Sequence, residues 1–134
     1  MPPLETEAAP PDLRLAVMAE ALYLLNLLLL PGIAFAVLCG LYITRRRTAG
    51  PVVRNHLRQA LVASLWAGVL LVLVSAVALL FGGLDNPGTW VFLVLYFALC
   101  HSTLILLGVL GLVRAMQGQT FRYPVIGPVV DSYP

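Results

Sequence analysis

Apolar residues run along this chain in long, nearly unbroken blocks separated by short polar stretches, without the polar face that an amphipathic soluble helix would show. Ala60 to Phe81 is the clearest block. It holds about 22 residues without a charge, roughly 33 Å of helix against a hydrocarbon core of about 30 Å, and predicts a membrane crossing. Thr89 to Val113 predicts a second, entered through Leu84-Asp85-Asn86-Pro87-Gly88, whose Asn, Pro and Gly each supply turn chemistry. Trp90 at its start suits the interfacial aromatic belt. Gly50-Pro51 marks the start of a helix that carries Val52 to Gln59 in register into the Ala60 span. Gly118 is a natural left-handed cap for the last helix, and Pro124, Pro128 and Pro134 stop regular helix beyond it.

The first apolar block, Leu13 to Thr44, is too long for one perpendicular crossing: about 32 residues, or roughly 48 Å of helix. Pro31-Gly32 near its middle removes a backbone hydrogen bond and clashes one turn back, which predicts a kink. Ile33 to Ile43, about 11 residues, cannot span alone. The expected arrangement is one long kinked helix capped by Asp12, with a re-entrant turn at Pro31-Gly32 as the alternative. The fold expected is all-α and polytopic: three transmembrane helices with a long kinked first helix. Residues 1–12 form a flexible acidic, proline-rich tail, 13–118 the helical domain, and 119–134 an irregular tail.

Composition agrees with a membrane protein. Of 134 residues, 60% are hydrophobic and 10% charged, against about a quarter charged in soluble domains, and mean hydropathy is +0.94. A disordered regulator or a nucleic-acid partner would need polar or basic surface that is lacking here. Charge placement predicts orientation. Arg45, Arg46, Arg47, Arg54 and Arg58 lie between the first and second spans, while the next loop holds only Asp85. The arginine loop is therefore expected in the cytoplasm of a bacterial inner membrane, with the C-terminal segment inside and the N-terminus outside. The acidic opening residues do not resemble a secretory signal, so the N-terminus is expected to be retained.

Candidate chemistry is sparse. Cys39 and Cys100 sit singly in apolar runs and read as buried free thiols. No phosphate loop, nucleophile elbow, paired carboxylates or metal-ligand spacing occurs, so no enzyme and no cofactor is expected. Small-residue stripes, Gly32-Ala36-Gly40, Ala60-Ser64-Gly68 and Ala98-Ser102, predict close helix packing. His101, near the middle of the last span, is a candidate intramembrane polar site: a neutral histidine bonded across a helix interface, to Asn26, Ser64 or a carbonyl, or else a proton-relay or ligand group. Glu20 reads as an interfacial carboxylate near Arg14. Arg45, Arg46 and Arg47 are topology determinants and candidate contacts for anionic lipid headgroups.

Two stretches carry a resemblance. Val53-Arg54-Asn55-His56-Leu57-Arg58-Gln59-Ala60 is similar to a His-x-x-Gln-Ala element. Ala115-Met116-Gln117-Gly118-Gln119-Thr120-Phe121-Arg122-Tyr123-Pro124 is similar to an Ala-x-x-Gly-x-x-aromatic-Arg-Tyr-Pro element. Both resemble small bacterial membrane proteins grouped with the membrane subunit of the chloroplast inner-envelope protein-import translocon. That resemblance implies an oligomeric, translocon-like transporter or channel component, and the plant proteins are drawn with four spans. From the residues themselves, His56 and Gln59 lie one turn apart at the same membrane surface that Arg122, Tyr123 and Pro124 reach, so the head of the second span is expected to hold the tail. A partner-recognition surface is the alternative. The function expected first is a non-catalytic accessory or scaffold subunit that binds the lipid bilayer and other membrane proteins or further copies of itself. A redox or metal subunit resting on His101 and Cys100 is the third reading.

Overall fold

The computed structural model describes residues 10–129, which form four helical segments and no strand. Helix α1 is Pro10–Leu28, α2 is Ile33–Arg45, α3 is Pro51–Gly82 and α4 is Pro87–Met116. Local chemistry sets these ends. Pro51 and Pro87 sit at the first turns of α3 and α4, where their missing N–H costs nothing. Asn86 caps α4, its Oδ1 accepting from the Gly88 N–H at 2.9 Å. Gly118, at φ +67°, closes α4 in a Schellman arrangement, with the N–H of Gly118 bonded to Ala115 O and that of Gln119 to Arg114 O, both at 3.0 Å.

The long kinked first helix does not form. Gly32 takes φ +86°, a conformation open to glycine, and Asn26 Oδ1 accepts its N–H at 2.9 Å. The N–H groups of Leu29 and Leu30 both bond to Leu25 O, and Pro31 has none to satisfy. With every donor of the turn accounted for, the chain reverses instead of bending. α2 runs back beside α1, so Pro31-Gly32 is a turn and α1 and α2 form a hairpin. That Ile33 to Ile43 is too short to span is correct but does not apply, because the hairpin need not cross.

This reversal also alters the expected placement of the N-terminal side. Leu13 at the start of α1 packs on Gly118 at the end of α4, so α1 begins at the same end of the bundle as the arginine loop and the C-terminal segment. Arg14, Arg45, Arg46, Arg47, Arg54, Arg58, Arg114 and Arg122 all lie at this end, here called the near end. The described chain ends its two long helices far away, at Gly83-Leu84-Asp85-Asn86. Of the expected N-terminal tail, residues 1–9 lie outside the described residues, as do 130–134 of the C-terminal one.

The core belongs to the near half. It is built from Ala16, Ala19 and Tyr23 of α1, Leu38 of α2, Leu57, Ala60, Ala63 and Ala67 of α3, Leu104 and Ala115 of α4, and Tyr123 of the tail. α3 and α4 are the two helices long and apolar enough to cross a membrane. Beyond Ala67 the remainder of α3 buries nothing. A π-helical turn at Val69–Leu73 interrupts it there, and the Tyr96 hydroxyl donates to the Leu70 carbonyl at 2.5 Å.

Small-residue packing follows different positions from those expected. Ala60 and Ser64 are buried, but Ala36, Gly40, Gly68, Ala98 and Ser102 face outward. Gly108 and Gly111 are the close approaches. A Cβ at Gly108 would lie 2.6 Å from the side chains of Tyr23 and Leu24, and one at Gly111 would lie 2.7 Å from Glu20 Oε2.

Candidate functional site: a buried polar lock at the near end

Four side chains from the first turns of α3 reach the tail, among them Arg58, whose Nη1 donates to Val129 O at 3.4 Å. Asn55 Oδ1 accepts from the Phe121 N–H at 2.8 Å. Gln59 bonds twice: its Nε2 donates to Pro128 O at 2.7 Å and its Oε1 accepts from the Tyr123 N–H at 3.2 Å. His56 Nε2 lies 2.8 Å from Gln119 O. A carbonyl can only accept, so Nε2 carries the proton and donates it. His56 and Gln59 are one turn apart, as their spacing requires for a shared face.

The other ring nitrogen meets a partner that the sequence reading misplaced. His56 Nδ1 lies 2.7 Å from Glu20 Oε1, with both side chains fully buried. Glu20 is not an interfacial carboxylate beside Arg14. Its second oxygen accepts from the Tyr123 hydroxyl at 2.5 Å. One carboxylate thus ties α1 to both α3 and the tail. The error followed from the first helix: on an outward-running α1, Glu20 would sit near the opposite surface, whereas on the hairpin it comes level with His56. A signal was present, since Glu20 is the only charged residue between Arg14 and Arg45 and a lone carboxylate in an apolar run needs a partner.

Aromatic rings pack around the junction. Tyr123 meets Tyr23 edge-on with centroids 5.3 Å apart and Phe121 likewise at 5.0 Å. Burial, followed by the adjacent Glu20 carboxylate, pushes the Tyr123 phenol well above its ordinary value. The tail then doubles back. Val125 takes φ +67° and the Gly127 N–H bonds to Tyr123 O at 2.9 Å. Gly127 is required there, because a Cβ would stand 2.6 Å from the Tyr123 backbone and against Gln59 Oε1. Arg122 Nε donates to Gly127 O at 3.3 Å, while Pro124 is exposed at the turn.

The other candidate residues stay apart from this lock. Arg45, Arg46 and Arg47 are exposed, with the Arg46 guanidinium 5.7 Å from the centre of the Tyr42 ring. His101 is half-buried and stacked on Phe97 at 4.9 Å. Its Nδ1 has no hydrogen-bond partner, and neither does Ser64 Oγ. Asn26 serves Gly32 instead. Cys39 and Cys100 are free and half-buried. Among the described residues no three His, Cys, Asp or Glu side chains cluster as metal ligands would.

A sequence model of the MamF/MmsF magnetosome magnetite crystal formation protein family matches residues 12–130, the whole bundle together with the locked tail. The chain belongs to that family. No curated protein and no solved structure matches it. The resemblance to the chloroplast translocon group is therefore overturned. The two short elements that carried it, around His56-Gln59 and Arg122-Tyr123-Pro124, fasten a helix start to a tail, a local task that does not specify a translocon. Family membership and two apolar helices of spanning length make this a membrane protein.

Proposed function

We propose, from this family membership, that the chain serves magnetite crystal formation as a non-catalytic membrane subunit, a scaffold on which other proteins of the magnetosome membrane assemble. The observation that carries the reading is the lock. Glu20, His56 and Gln59, three buried polar side chains of the near end, are engaged in fixing the tail against the bundle. The tail and the exposed arginines then form one fixed end face, suited to holding a partner, while the outward surfaces of α3 and α4 are left to lipid and neighbouring helices.

In this reading α3 and α4 cross the membrane and the near end is cytoplasmic, because it holds every arginine. The start of α1 is then cytoplasmic too, and Leu84 to Gly88 faces the compartment that holds the crystal. Reporter fusions at Thr48 and Asp85 test the sidedness; a cytoplasmic signal at Asp85 would reverse it.

The scaffold reading is tested in a magnetite-forming host lacking this gene, complemented with the wild-type chain or with Gln59→Ala. Crystals should still form in both, with the size distribution shifted in the variant and cross-linking to neighbouring membrane proteins reduced. The purified protein in liposomes should neither pass iron nor change its oxidation state. Catalysed iron oxidation or iron flux would overturn the scaffold reading.

A further inference from the structure

The two hairpins differ in depth, and printed contacts fix by how much. Leu13 packs on Gly118, Glu20 bonds to His56 and packs on Gly111, and the Tyr23 hydroxyl donates to Leu104 O at 3.1 Å. These contacts set α1 alongside the near halves of α3 and α4. From the Glu20–His56 level, α1 continues for about eight residues, or ~12 Å, whereas α3 continues for about 26 residues, or ~39 Å. α2 has 13 residues, so it returns through the same shallow depth.

The charge-free part of α3 begins at Ala60, one turn above His56. Measured from there, the end of α1 stands about 6 Å inside a hydrocarbon core about 30 Å thick, and the turn beyond it adds only about one further helical step or two. The hairpin stops short of the midplane. The tip is equipped for lipid. Leu28, Leu29, Leu30 and Ile33 are exposed, and the turn's N–H groups are satisfied by Leu25 O and Asn26 Oδ1, as irregular backbone away from water requires. Arginines at its base hold the hairpin at headgroup level.

We propose that the protein is a membrane wedge that selects curvature. Four helices occupy the leaflet at the arginine end and two occupy the opposite leaflet. Unequal area in the two leaflets is relieved when the bilayer bends with the crowded leaflet on the convex side, the same physics by which one-sided helix insertion becomes sensitive to curvature. The arginine end therefore belongs on the outside of a tightly curved membrane. This goes beyond the scaffold role and holds or fails without it, since it needs only that α3 and α4 cross.

The test uses the full chain, fluorescently labelled and reconstituted into giant vesicles from which membrane tethers are pulled. Molecules with the arginine end outward should show a tether-to-flat density ratio above one that rises as the tether narrows; those inserted the other way should fall below one. A ratio of one in both orientations, or the same sign in both, overturns the proposal. A second measurement places the tip. A nitroxide on Leu29→Cys, with Cys39 and Cys100 replaced by serine, should be relaxed by oxygen in the lipid and shielded from a water-soluble nickel chelate on either side. Access to the chelate from the side opposite the arginines would show that the hairpin crosses, and the wedge would be withdrawn.

Discussion

The near and far halves of the bundle share the same two long helices, yet they are held in different ways. In the near half α3 buries Val53, His56, Leu57, Gln59, Ala60, Ala63, Ser64 and Ala67 against the hairpin, α4 and the tail. In the far half, from Val69 to Gly82, it buries nothing, and Leu80 and Phe81 are 79% and 84% exposed. The far half has the more uniformly apolar sequence and the less protein contact. In a bilayer that is the expected direction, because burying leucine against leucine gains little over lipid, while alanine and glycine seams and paired polar groups hold helices together.

The largest effect expected from this contrast is at His56. His56→Ala leaves the Glu20 carboxyl and the Gln119 carbonyl without their partner, and breaking one side of a buried pair costs about 3 to 5 kcal/mol. Phe81→Ala, in the far half, should change stability by less than about 0.5 kcal/mol, since lipid fills the space. Thermal unfolding in mild detergent compares the two. A double-mutant cycle of His56→Ala with Tyr123→Ala should be non-additive, because both residues act through Glu20. Additive shifts would separate the two motifs and break the account of the near half.

The next effect concerns close approach. Gly111→Ala puts a Cβ 2.7 Å from Glu20 Oε2 and 2.9 Å from the Tyr123 hydroxyl, and overpacking of this kind costs about 1 to 3 kcal/mol. Gly68→Ala meets nothing within 4 Å and should stabilise the helix by up to about 1 kcal/mol. Opposite signs in the same unfolding measurement would sharpen the contrast between a packed and an unpacked surface; equal signs would erase it.

The legible parts of this fold were those written in consecutive residues. α3 and α4, the Asn86-Pro87 start and the Gly118 stop each follow from local pattern and turn chemistry. The pairing of His56 and Gln59 with the tail was readable too, as two polar groups a turn apart at the surface to which the tail returns. What the local pattern left open was whether Pro31-Gly32 bends the chain or reverses it. Asn26 decides that by capping the Gly32 N–H, a contact six residues apart that hydropathy does not register. A continuous first helix carries Glu20 to the wrong level and Arg14 to the wrong end. Gly108 and Gly111 are legible as close approaches only when Glu20, Tyr23 and Leu24 are set opposite them, which depends on the level of α1.

A smaller effect tests the protonation of the lock. Tyr123→Phe removes the hydroxyl that bonds Glu20 and should cost about 1 to 2 kcal/mol. The Tyr123 phenol is held above its ordinary value by burial and by Glu20. Its contribution is therefore complete below the unfolded phenol's value of about 10 and is lost as pH rises beyond it, because the unfolded chain ionises first. The wild-type tail should loosen above about pH 10, read as protease access near Val125, and Tyr123→Phe should lack that added alkaline step. An identical alkaline profile in the variant would place the sensitive group elsewhere.

The smallest effect is expected at His101. An intramembrane histidine with a structural hydrogen bond would tolerate Gln, which keeps a donor and an acceptor, better than Leu, which keeps neither. Here Nδ1 has no partner and the ring is stacked on Phe97, so both substitutions forfeit the same ring contact, worth about 0.5 to 1.5 kcal/mol. The two variants should therefore unfold at the same temperature. If Gln is clearly the more stable, His101 has a polar partner and adds a tie on α4 to those made by Tyr23 and Tyr96. A different result is informative about assembly: if both variants are folded but crystals change only with Leu, the half-exposed polar edge of this side chain serves a neighbouring protein, and the scaffold surface extends from the near end along α4.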